Sequence, residues 1–320
     1  MRSPQATTSA PARYHSRFGQ WYDRATVRTG QRRVLAAETG DCVFFPPELL
    51  PIATHPLVAG LGPAAARDIG VRRLHDYLQF TVELEATTVV PVASAIARGR
   101  SGLELPAQMC ADAFKIATDE AWHAQFSYDL MAQLAEATSI EPRGAADPAF
   151  MIRLARIREQ VPADLLPACE LLVAVVSETL ISRILSDLPH ERRLPRAVRE
   201  VVADHAYDEG KHHAYFRSLL QFLWPVLDGE QRRRLGPLLP GLITAFLEPD
   251  YQAQGQALRA AGLSGPRAEQ VLAECYPRQQ VRQTVASAAR STVDYFAEAG
   301  ALDDGETRDS FTAAGLLAHA

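Results

Sequence analysis

Apolar residues recur along most of the chain at spacings of three, four and seven positions, which is the period of an α-helix. In the first such stretch, which begins near Ala64, they are Leu74, Leu78, Val82, Val89 and Val92. Pro91 removes a backbone hydrogen-bond donor from the same stretch, so we expect a kink there. The pattern predicts a kinked helix with one apolar face turned inward.

The same periodicity predicts further helices and no sheet. They cover about residues 106–135, 148–160, 163–188, 195–224, 231–247, 250–262, 266–275 and 278–299. The helix at 163–188 is apolar almost all round, which is typical of a central position. Because no segment sustains a two-residue alternation, we predict an all-α fold.

Both ends of the chain and one internal stretch lack the helical period. Residues 1–30 mix Pro, Ser, Ala, Thr and Arg, which indicates a loosely ordered N-terminal arm. Residues 40–63 are rich in Pro and Gly, so we expect irregular structure with at most a short helical turn. We therefore predict a single domain over residues 31–305 and a C-terminal tail over 306–320.

Composition and charge narrow the class of protein. Of the 320 residues, 47% are hydrophobic and 22% are charged, which is ordinary for a globular protein. A net charge of -5 without a basic stripe argues against nucleic-acid binding. No apolar run approaches the roughly 18 residues that span a bilayer, and no apolar signal core follows the first basic residues. We expect a cytoplasmic protein that is not inserted in a membrane.

The four cysteines are far apart and form no Cys-x-x-Cys pair. They are Cys42, Cys110, Cys169 and Cys275. This spacing favours free thiols in a reducing compartment over disulfides or a thiolate metal site.

Two segments share the pattern Asp-Glu-x-x-His, at residues 119–123 and 208–212. Side chains three positions apart lie on the same face of a helix, so the Glu and the His of each segment converge. Bundles that bind two iron or manganese ions use two such helices and one glutamate from each of two further helices. The repeated pattern therefore predicts four metal ligands, which are Glu120, His123, Glu209 and His212.

One glutamate should then precede each pattern. Glu85 lies on the apolar face of its helix, whereas the alternative Glu83 falls on the polar face. Glu178 lies within an apolar helix, whereas Glu170 is closer to the start of that helix. An isolated carboxylate in an apolar helix has a high desolvation cost unless a cation neutralises it. We therefore predict Glu85 and Glu178 as the remaining carboxylate ligands.

His205 is a seventh candidate, because it precedes Glu209 by four positions and His212 by seven and so shares their helix face. Asp119 and Asp208 are predicted to accept hydrogen bonds from the free ring N–H groups of the ligand histidines. The alternatives are solvated Glu-x-x-His pairs, a Glu178–Arg183 ion pair and a core histidine at position 205. The order of all seven residues on long helices favours a metal centre.

Several runs resemble the p-aminobenzoate N-oxygenase (AurF-type) family. They are YLQFTVELE at 77–85, KIATDEAWHAQF at 115–126, DEGKHH at 208–213, FFPPEL at 44–49 and ARSTV at 289–293, within a resemblance over roughly 17–303. The resemblance implies a homodimeric, ferritin-like four-helix bundle extended by additional helices. It also implies a di-iron centre whose seven ligands are all present: Glu85, Glu120, His123, Glu178, His205, Glu209 and His212.

The resemblance further implies an activity. Members of the family use O2 and two iron ions to oxidise an aryl amine through the hydroxylamine and nitroso levels towards nitro, in natural-product and antibiotic biosynthesis. Manganese is an adventitious replacement for iron, and an external reductase must supply electrons because no flavin or nicotinamide motif is credible here. Relatives hydroxylate carbon, so a C–H hydroxylase is the main alternative. Iron storage and a purely structural helical protein are the others.

The family's aryl carboxylate site uses a tyrosine, an asparagine and an arginine. Tyr77 resembles the tyrosine, and the asparagine is replaced within the run Arg183, Ile184 and Leu185. Arg290 resembles the arginine, with Arg282 as the second choice, although either could be a surface charge on the last predicted helix. The substitution at 183–185 removes one group expected to bind p-aminobenzoate.

Overall fold

The computed structural model describes residues 13–36, 42–144, 147–180 and 183–318. These residues form α-helices and short 3-10 or π segments, and no strand is found among them, as expected for an all-α fold. The helices are α1 (Trp21–Arg24), α2 (Thr26–Thr29), α3 (Pro56–Ala59), α4 (Pro63–Leu84), α5 (Val90–Ala97), α6 (Ala107–Thr138), α7 (Ala149–Arg158), α8 (Leu166–Thr179), α9 (Arg183–Asp187), α10 (Arg196–Val226), α11 (Gly229–Leu235), α12 (Leu239–Leu247), α13 (Tyr251–Ala260), α14 (Gly265–Cys275), α15 (Arg278–Glu298) and α16 (Gly305–Ala313).

The helix predicted through Pro91 changes its winding shortly before that proline. A π-helical turn, Glu85–Val89, joins α4 to α5, and the backbone N–H of Val90 donates to the carbonyl of Glu85, five residues back. Pro91 lacks an N–H and cannot donate to the carbonyl four residues before it, which favours a change of register here. Such π turns are frequently found at functional sites, and this one begins at a predicted metal ligand.

The helix predicted over 163–188 is shorter than expected. α8 ends at Thr179, and α9 begins at Arg183 after a break. Leu180 leaves the helix with φ -85° and ψ 69°. The helix predicted over 231–247 is also divided, because Pro237 lies in a 3-10 turn, Gly236–Leu238, between α11 and α12. Local backbone breaks of this kind interrupt a periodic pattern without changing its apolar positions.

Two apolar clusters lie at the two ends of the long helices. On α6 the first cluster reaches Ile116 and the second begins at Phe126. On α10 the second cluster reaches Val202 and the first begins at Tyr215. The change from one cluster to the other falls where both Asp-Glu-x-x-His segments lie, so apolar layers enclose these polar residues from both ends.

The expected loose arm is wrong for its described part. Residues 1–12 lie outside the described residues, but α1 and α2 pack against the bundle, and α2 contacts both α6 and α10. Phe18, Trp21 and Ala25 are buried in the core. A segment without helical periodicity can still be ordered when a few large side chains bury apolar area, as the indole and phenyl rings do here.

The expected C-terminal tail is also wrong for its described part. α16 starts at the cap residue Asp304, whose side chain accepts the backbone N–H of Thr307. Phe311 is fully buried and packs on Phe296 of α15. This helix is short, and one buried aromatic residue is too weak a signal for a helical period. Residues 319–320 lie outside the described part.

Residues 42–62 agree with the expected irregular stretch. They contain two 3-10 turns, Pro47–Leu49 and Pro51–Thr54, and the short α3. Residues 63–97 are long and apolar enough to cross a membrane by length and hydropathy alone. They pack against α6, and α5 also contacts α8, which is equally typical of a core helix in a bundle.

Candidate metal centre

The two Asp-Glu-x-x-His segments face each other across α6 and α10. His123 Nδ1 lies 2.7 Å from Oε2 of Glu120 on its own helix and 3.5 Å from Oε1 of Glu209 on the opposite helix. His212 Nδ1 lies 2.7 Å from Oε1 of Glu120 and 3.5 Å from Oε1 of Glu209. Each glutamate therefore touches histidines of both helices, and Glu120, His123 and His212 are fully buried.

Ligand atoms fall into two groups that share two glutamates. One group is Glu120, His123, Glu209 and His212, the other is Glu85, Glu120, His205 and Glu209, and in each the ligand atoms lie within 4.8 Å of one another. His205 Nε2 lies 3.0 Å from Glu209 and 3.8 Å from Glu85. Two adjacent groups with common carboxylates are the arrangement that a pair of bridged metal ions requires.

Glu178 lies near these groups but belongs to neither. Its side chain is 5% exposed, its Oε2 has no hydrogen-bond partner, and the charges of Glu209 and Glu120 act on it. The alternative partner Arg183 has a side chain outside the described residues. The structure thus brings six predicted ligands into contact and leaves Glu178 buried beside them.

Buried atoms without partners are concentrated here. Six buried atoms make no well-oriented hydrogen bond, although a neighbouring ligand atom lies within 3.0 Å of three of them: Glu85 Oε2, Glu120 Oε1, His123 Nε2, Glu178 Oε2, Glu209 Oε1 and His212 Nδ1. Buried polar groups are rarely left unpaired, so six in one cluster call for a further ligand. Carboxylate oxygens and imidazole nitrogens without thiolates suit iron or manganese, and the chain fits such a metal here.

Charges in the cluster divide the four glutamates into two pairs. Burial raises the pKa of Glu85 and of Glu178, and neighbouring carboxylates raise both further. Burial also acts on Glu120 and Glu209, but the adjacent imidazoles outweigh it and lower their pKa values. For His123, burial opposes the charged form, yet the carboxylate of Glu120 prevails and raises the pKa to about 9. The raised pKa values of Glu85, Glu178 and His123 favour their protonated forms, which reduces the repulsion between the carboxylates. Bound metal cations could replace these protons.

The two aspartates of the motifs contact histidines of the opposite helix. Asp119 Oδ2 on α6 lies 3.2 Å from Nε2 of His212 on α10. Asp208 Oδ2 on α10 lies 3.6 Å from Nε2 of His123 on α6, which is beyond hydrogen-bond distance. In each histidine, Nδ1 faces the glutamates and Nε2 faces an aspartate. The rings are therefore oriented so that the nitrogen left for a metal is Nδ1.

Comparison with known proteins agrees with this arrangement. A model of the family described as p-aminobenzoate N-oxygenase AurF matches residues 35–300. The chain belongs to this family. It is also 23% identical over 233 residues to a 4-aminobenzoate N-oxygenase from Streptomyces thioluteus, a match that covers 72% of this chain and 68% of that protein.

Membership of the AurF family confirms the family resemblance, the all-α fold and the N-oxygenase class of enzyme predicted from the sequence. The matched residues include the four elements that carry the polar cluster, which are α4 with its π turn, α6, α8 and α10. α1 and the whole of α2 precede the matched residues. Family membership and the buried Glu/His cluster together make this a metal-binding site.

The AurF family also gives context to the predicted substrate residues. Tyr77 is 7% exposed, and its hydroxyl has no hydrogen-bond partner. Burial raises the pKa of Tyr77, and the negative charge of Glu209 adds to the shift. The Tyr77 hydroxyl therefore stays protonated near the cluster and can donate a hydrogen bond.

The two candidate arginines are both exposed on α15, whereas Tyr77 is buried. Arg290 is exposed on α15. Arg282 is exposed as well, and its guanidinium donates to the backbone carbonyl of Ala313 in α16. This contact to α16 orients the side chain of Arg282, and the sequence pattern did not predict α16.

Sequence reasoning missed two residues next to the site. The indole Nε1 of Trp21 donates to both carboxylate oxygens of Asp119 at 2.8 Å. The hydroxyl of Thr26 donates to Oδ2 of Asp208 at 2.6 Å. Both donors come from the segment expected to be loose. The signal that could have found them is the pair of aromatic residues Phe18 and Trp21 in an otherwise polar stretch.

Proposed function

We propose that this AurF-family enzyme oxidises an aryl amine with O2 at two iron ions held by the seven predicted ligands. The observation that carries the proposal is the pair of ligand groups that share Glu120 and Glu209. His123 and His212 complete one group, and His205 and Glu85 complete the other. Glu178, buried beside Glu209 and Glu120, is the seventh ligand of the proposal.

The donor set of four carboxylates and three imidazoles favours iron. Hard oxygen donors with imidazoles suit Fe(II), and the same set accepts Mn(II) as an adventitious replacement. Bound iron supplies the activation of O2, while the protein supplies placement and a dry site. The two apolar clusters that enclose the polar residues from both ends support that role.

Specific atoms of the chain hold protons before the metals bind. The raised pKa values of Glu85 and Glu178 keep their carboxyl groups protonated, while His123 carries a proton because Glu120 raises its pKa to about 9. Because metal ligands must be deprotonated, loading releases these protons. The lowered pKa values of Glu120 and Glu209 keep both as carboxylates, and each could be a ligand to both ions because it belongs to both ligand groups.

Each oxidation from amine to hydroxylamine uses one O2, two electrons and two protons, and it releases one water. The electrons come from an external reductase, since the proposal assigns the chain no redox group besides the irons. With the same reactants, oxidation of the hydroxylamine to nitroso releases two waters, and oxidation of nitroso to nitro releases one. The substrate is a small aryl amine from natural-product or antibiotic biosynthesis, and Tyr77 supports a polar contact to it through its unpartnered hydroxyl.

A C–H hydroxylase remains the second candidate because the predicted carboxylate site is incomplete. Position 183–185 lacks the expected asparagine, and Arg290 and Arg282 lie exposed on α15. A different scaffold could therefore take the place of p-aminobenzoate. The position of the oxygen atom in the product separates the two candidates.

The enzyme is proposed to be a homodimer that pairs through α6. Among residues 107–132 no exposed residue is charged. Apart from Gln108, the exposed residues follow an alternating four- and three-residue spacing: Ala107, Ala111, Phe114, Thr118, Ala121, Gln125, Tyr128 and Ala132. That spacing is the seam of a paired helix, and depletion of charge is typical of interface cores. A second copy of the same helix is the partner that fits this face.

The dimer is tested by light scattering after gel filtration. The mass of two chains is expected for the native protein, and one chain is expected for a variant with Phe114→Glu and Tyr128→Glu. Tyr251→Glu, at an exposed tyrosine of α13, is the control and should stay dimeric. A native protein with the mass of one chain rejects this interface.

The enzyme is proposed to act in the cytoplasm, which the free thiols of all four cysteines support.

The reaction is tested with protein loaded anaerobically with Fe(II), chemically reduced, and exposed to 18O2 with a panel of aryl amines. We expect about two irons per chain and 18O bound to nitrogen in the product. Label on carbon alone would establish the hydroxylase. Bulk iron uptake without turnover under any reductant would indicate storage, and failure to bind iron would leave a structural role.

A further inference from the structure

We propose that residues 18–29, which precede the part of the chain matched by the family, form an outer layer of the metal centre. In this proposal Trp21 and Thr26 are positioning residues, which act on the metals through Asp119 and Asp208. The inference rests on the proposed metal centre described above. It assigns a function to α1 and α2, which the family match does not reach.

Trp21 acts on the aspartate of the first motif. Its indole N–H lies 2.8 Å from both oxygens of Asp119, and Asp119 is fully buried. Oδ2 of Asp119 lies 3.2 Å from Nε2 of His212. The indole of Trp21 thus fixes the carboxylate of Asp119, and this carboxylate in turn contacts the imidazole of the ligand His212. A hydrogen bond to a charged acceptor is stronger than one between neutral groups, so this contact limits rotation of the carboxylate.

Thr26 acts on the aspartate of the second motif. Its hydroxyl and its backbone N–H donate to Oδ2 of Asp208 at 2.6 and 3.2 Å. The ammonium of Lys211 donates to Oδ1 of the same carboxylate at 2.7 Å. The oxygen that accepts from Thr26 is the one that lies 3.6 Å from Nε2 of His123. The carboxylate therefore accepts three hydrogen bonds, and the oxygen that accepts two of them is the one nearest to the histidine.

The two contacts form one symmetric arrangement. Each aspartate belongs to one long helix and faces a histidine of the other, and each also accepts a donor from the N-terminal segment. Phe18 from the same segment stacks on His212 with 6.1 Å between the ring centres and 14° between the ring planes. The segment therefore reaches the histidines of both Asp-Glu-x-x-His segments through buried contacts. Partners of this kind set the orientation and basicity of metal-bound imidazole.

The first experiment compares two tryptophan variants. Trp21→Phe removes the donor to Asp119, and Trp224→Phe removes the N–H of another buried indole, which has no acceptor. Each purified variant is loaded anaerobically with Fe(II), and iron release to an excess of a chromogenic Fe(II) chelator is followed. We expect release to be about tenfold faster for Trp21→Phe than for the native protein, and unchanged within about twofold for Trp224→Phe.

The second experiment uses conservative rescue at Thr26. Thr26→Val removes the hydroxyl and keeps the backbone N–H, whereas Thr26→Ser retains both donors. Thr29→Val is the control, because the Thr29 hydroxyl donates to the carbonyl of Ala25 and not to an aspartate. We expect faster iron release for Thr26→Val, by less than for Trp21→Phe, and native release for Thr26→Ser and Thr29→Val.

A third readout separates positioning from general stability. The metal-free forms are melted alongside the Co(II)-loaded forms, whose absorption bands report the geometry of the bound ion. Trp21→Phe is expected to change the Co(II) bands and to reduce the increase in melting temperature that Co(II) produces. A native Co(II) spectrum and native iron release in Trp21→Phe and Thr26→Val would overturn the outer-layer role while leaving the metal centre intact. Failure of the native protein to bind either ion would overturn both.

Discussion

The metal centre has a regular half, which is carried by α6 and α10, and an irregular half, which is carried by the helices of Glu85 and Glu178. α6 and α10 run without a break for 32 and 31 residues through their Glu-x-x-His segments. The elements that carry the other two glutamates are irregular, since Glu85 opens a π turn and Glu178 lies one residue before the end of α8. The histidines therefore lie on a regular framework, and the single carboxylates lie where the backbone departs from it.

The electrostatics follow the same division. Burial opposes ionisation of Glu120 and Glu209, but both lie against imidazoles, which lower the pKa of each. Glu85 and Glu178 are surrounded mainly by apolar groups and other carboxylates, and their pKa values are raised. The first pair is fixed by contacts in the protein alone. The second pair needs a cation, which means that metal loading should change the irregular half more than the regular half.

The largest expected effect follows from removing a shared ligand of the regular half. Glu120→Ala takes away the carboxylate that touches both His123 and His212 and belongs to both ligand groups. We expect loss of both metal ions and at least about 100-fold weaker Fe(II) binding, measured by anaerobic titration. Glu136→Ala, at an exposed glutamate of the same helix, is the control. Retention of two irons by Glu120→Ala would show that this carboxylate is not a bridge.

In the irregular half, Glu178→Gln should separate stability from metal binding. The substitution replaces a buried carboxyl group, whose raised pKa makes folding costly near neutral pH, with an amide that does not titrate, so the metal-free protein should be more stable by about 1–3 kcal/mol. Metal binding should weaken in the same variant, although less than in Glu120→Ala. Urea unfolding and Fe(II) titration measure the two effects. A metal-free variant that is less stable than the native protein contradicts the desolvation argument.

Pro91→Ala tests why the π turn is there. Pro91 is exposed, so the change removes little packing, but it restores the backbone N–H that a regular helix requires. We expect a regular helix to form across Glu85–Val89 and to turn Glu85 away from His205. The second metal should then be lost with little change in the urea midpoint. A crystal structure that retains the π turn would assign it to packing and not to the proline.

Much of this division could be read from the sequence, and part of it could not. The motifs at 119–123 and 208–212 lie in long periodic helices, where a spacing of three fixes a common face. Glu85 and Glu178 were found from their apolar surroundings, but the π turn and the end of α8 depend on single backbone hydrogen bonds that periodicity does not encode. Trp21 and Thr26 were missed because each contacts an aspartate, Asp119 or Asp208, that is far away from it in the sequence.

The smallest expected effect concerns a histidine outside the centre. Burial lowers the pKa of His75 to about 4 from its ordinary 6.5, whereas carboxylates overcome the effect of burial on His123 and raise its pKa. Between pH 6.5 and 4 the unfolded chain binds a proton at His75 that the folded protein does not, so stability falls as the pH falls. We expect the native protein to lose about 1.5 kcal/mol more than His75→Gln between about pH 6.5 and about pH 5, measured by urea unfolding. An equal loss in both proteins would remove His75 as the cause.

Anaerobic titration of Fe(II) into metal-free protein, with iron and released protons counted together, tests the central claim most directly. The account predicts about two irons per chain, with protons released as His123, His212 and the carboxyl groups of Glu85 and Glu178, all with raised pKa values, become ligands. Binding of two irons without proton release would contradict the charge arrangement. Fewer than about one iron per chain would contradict the metal centre itself.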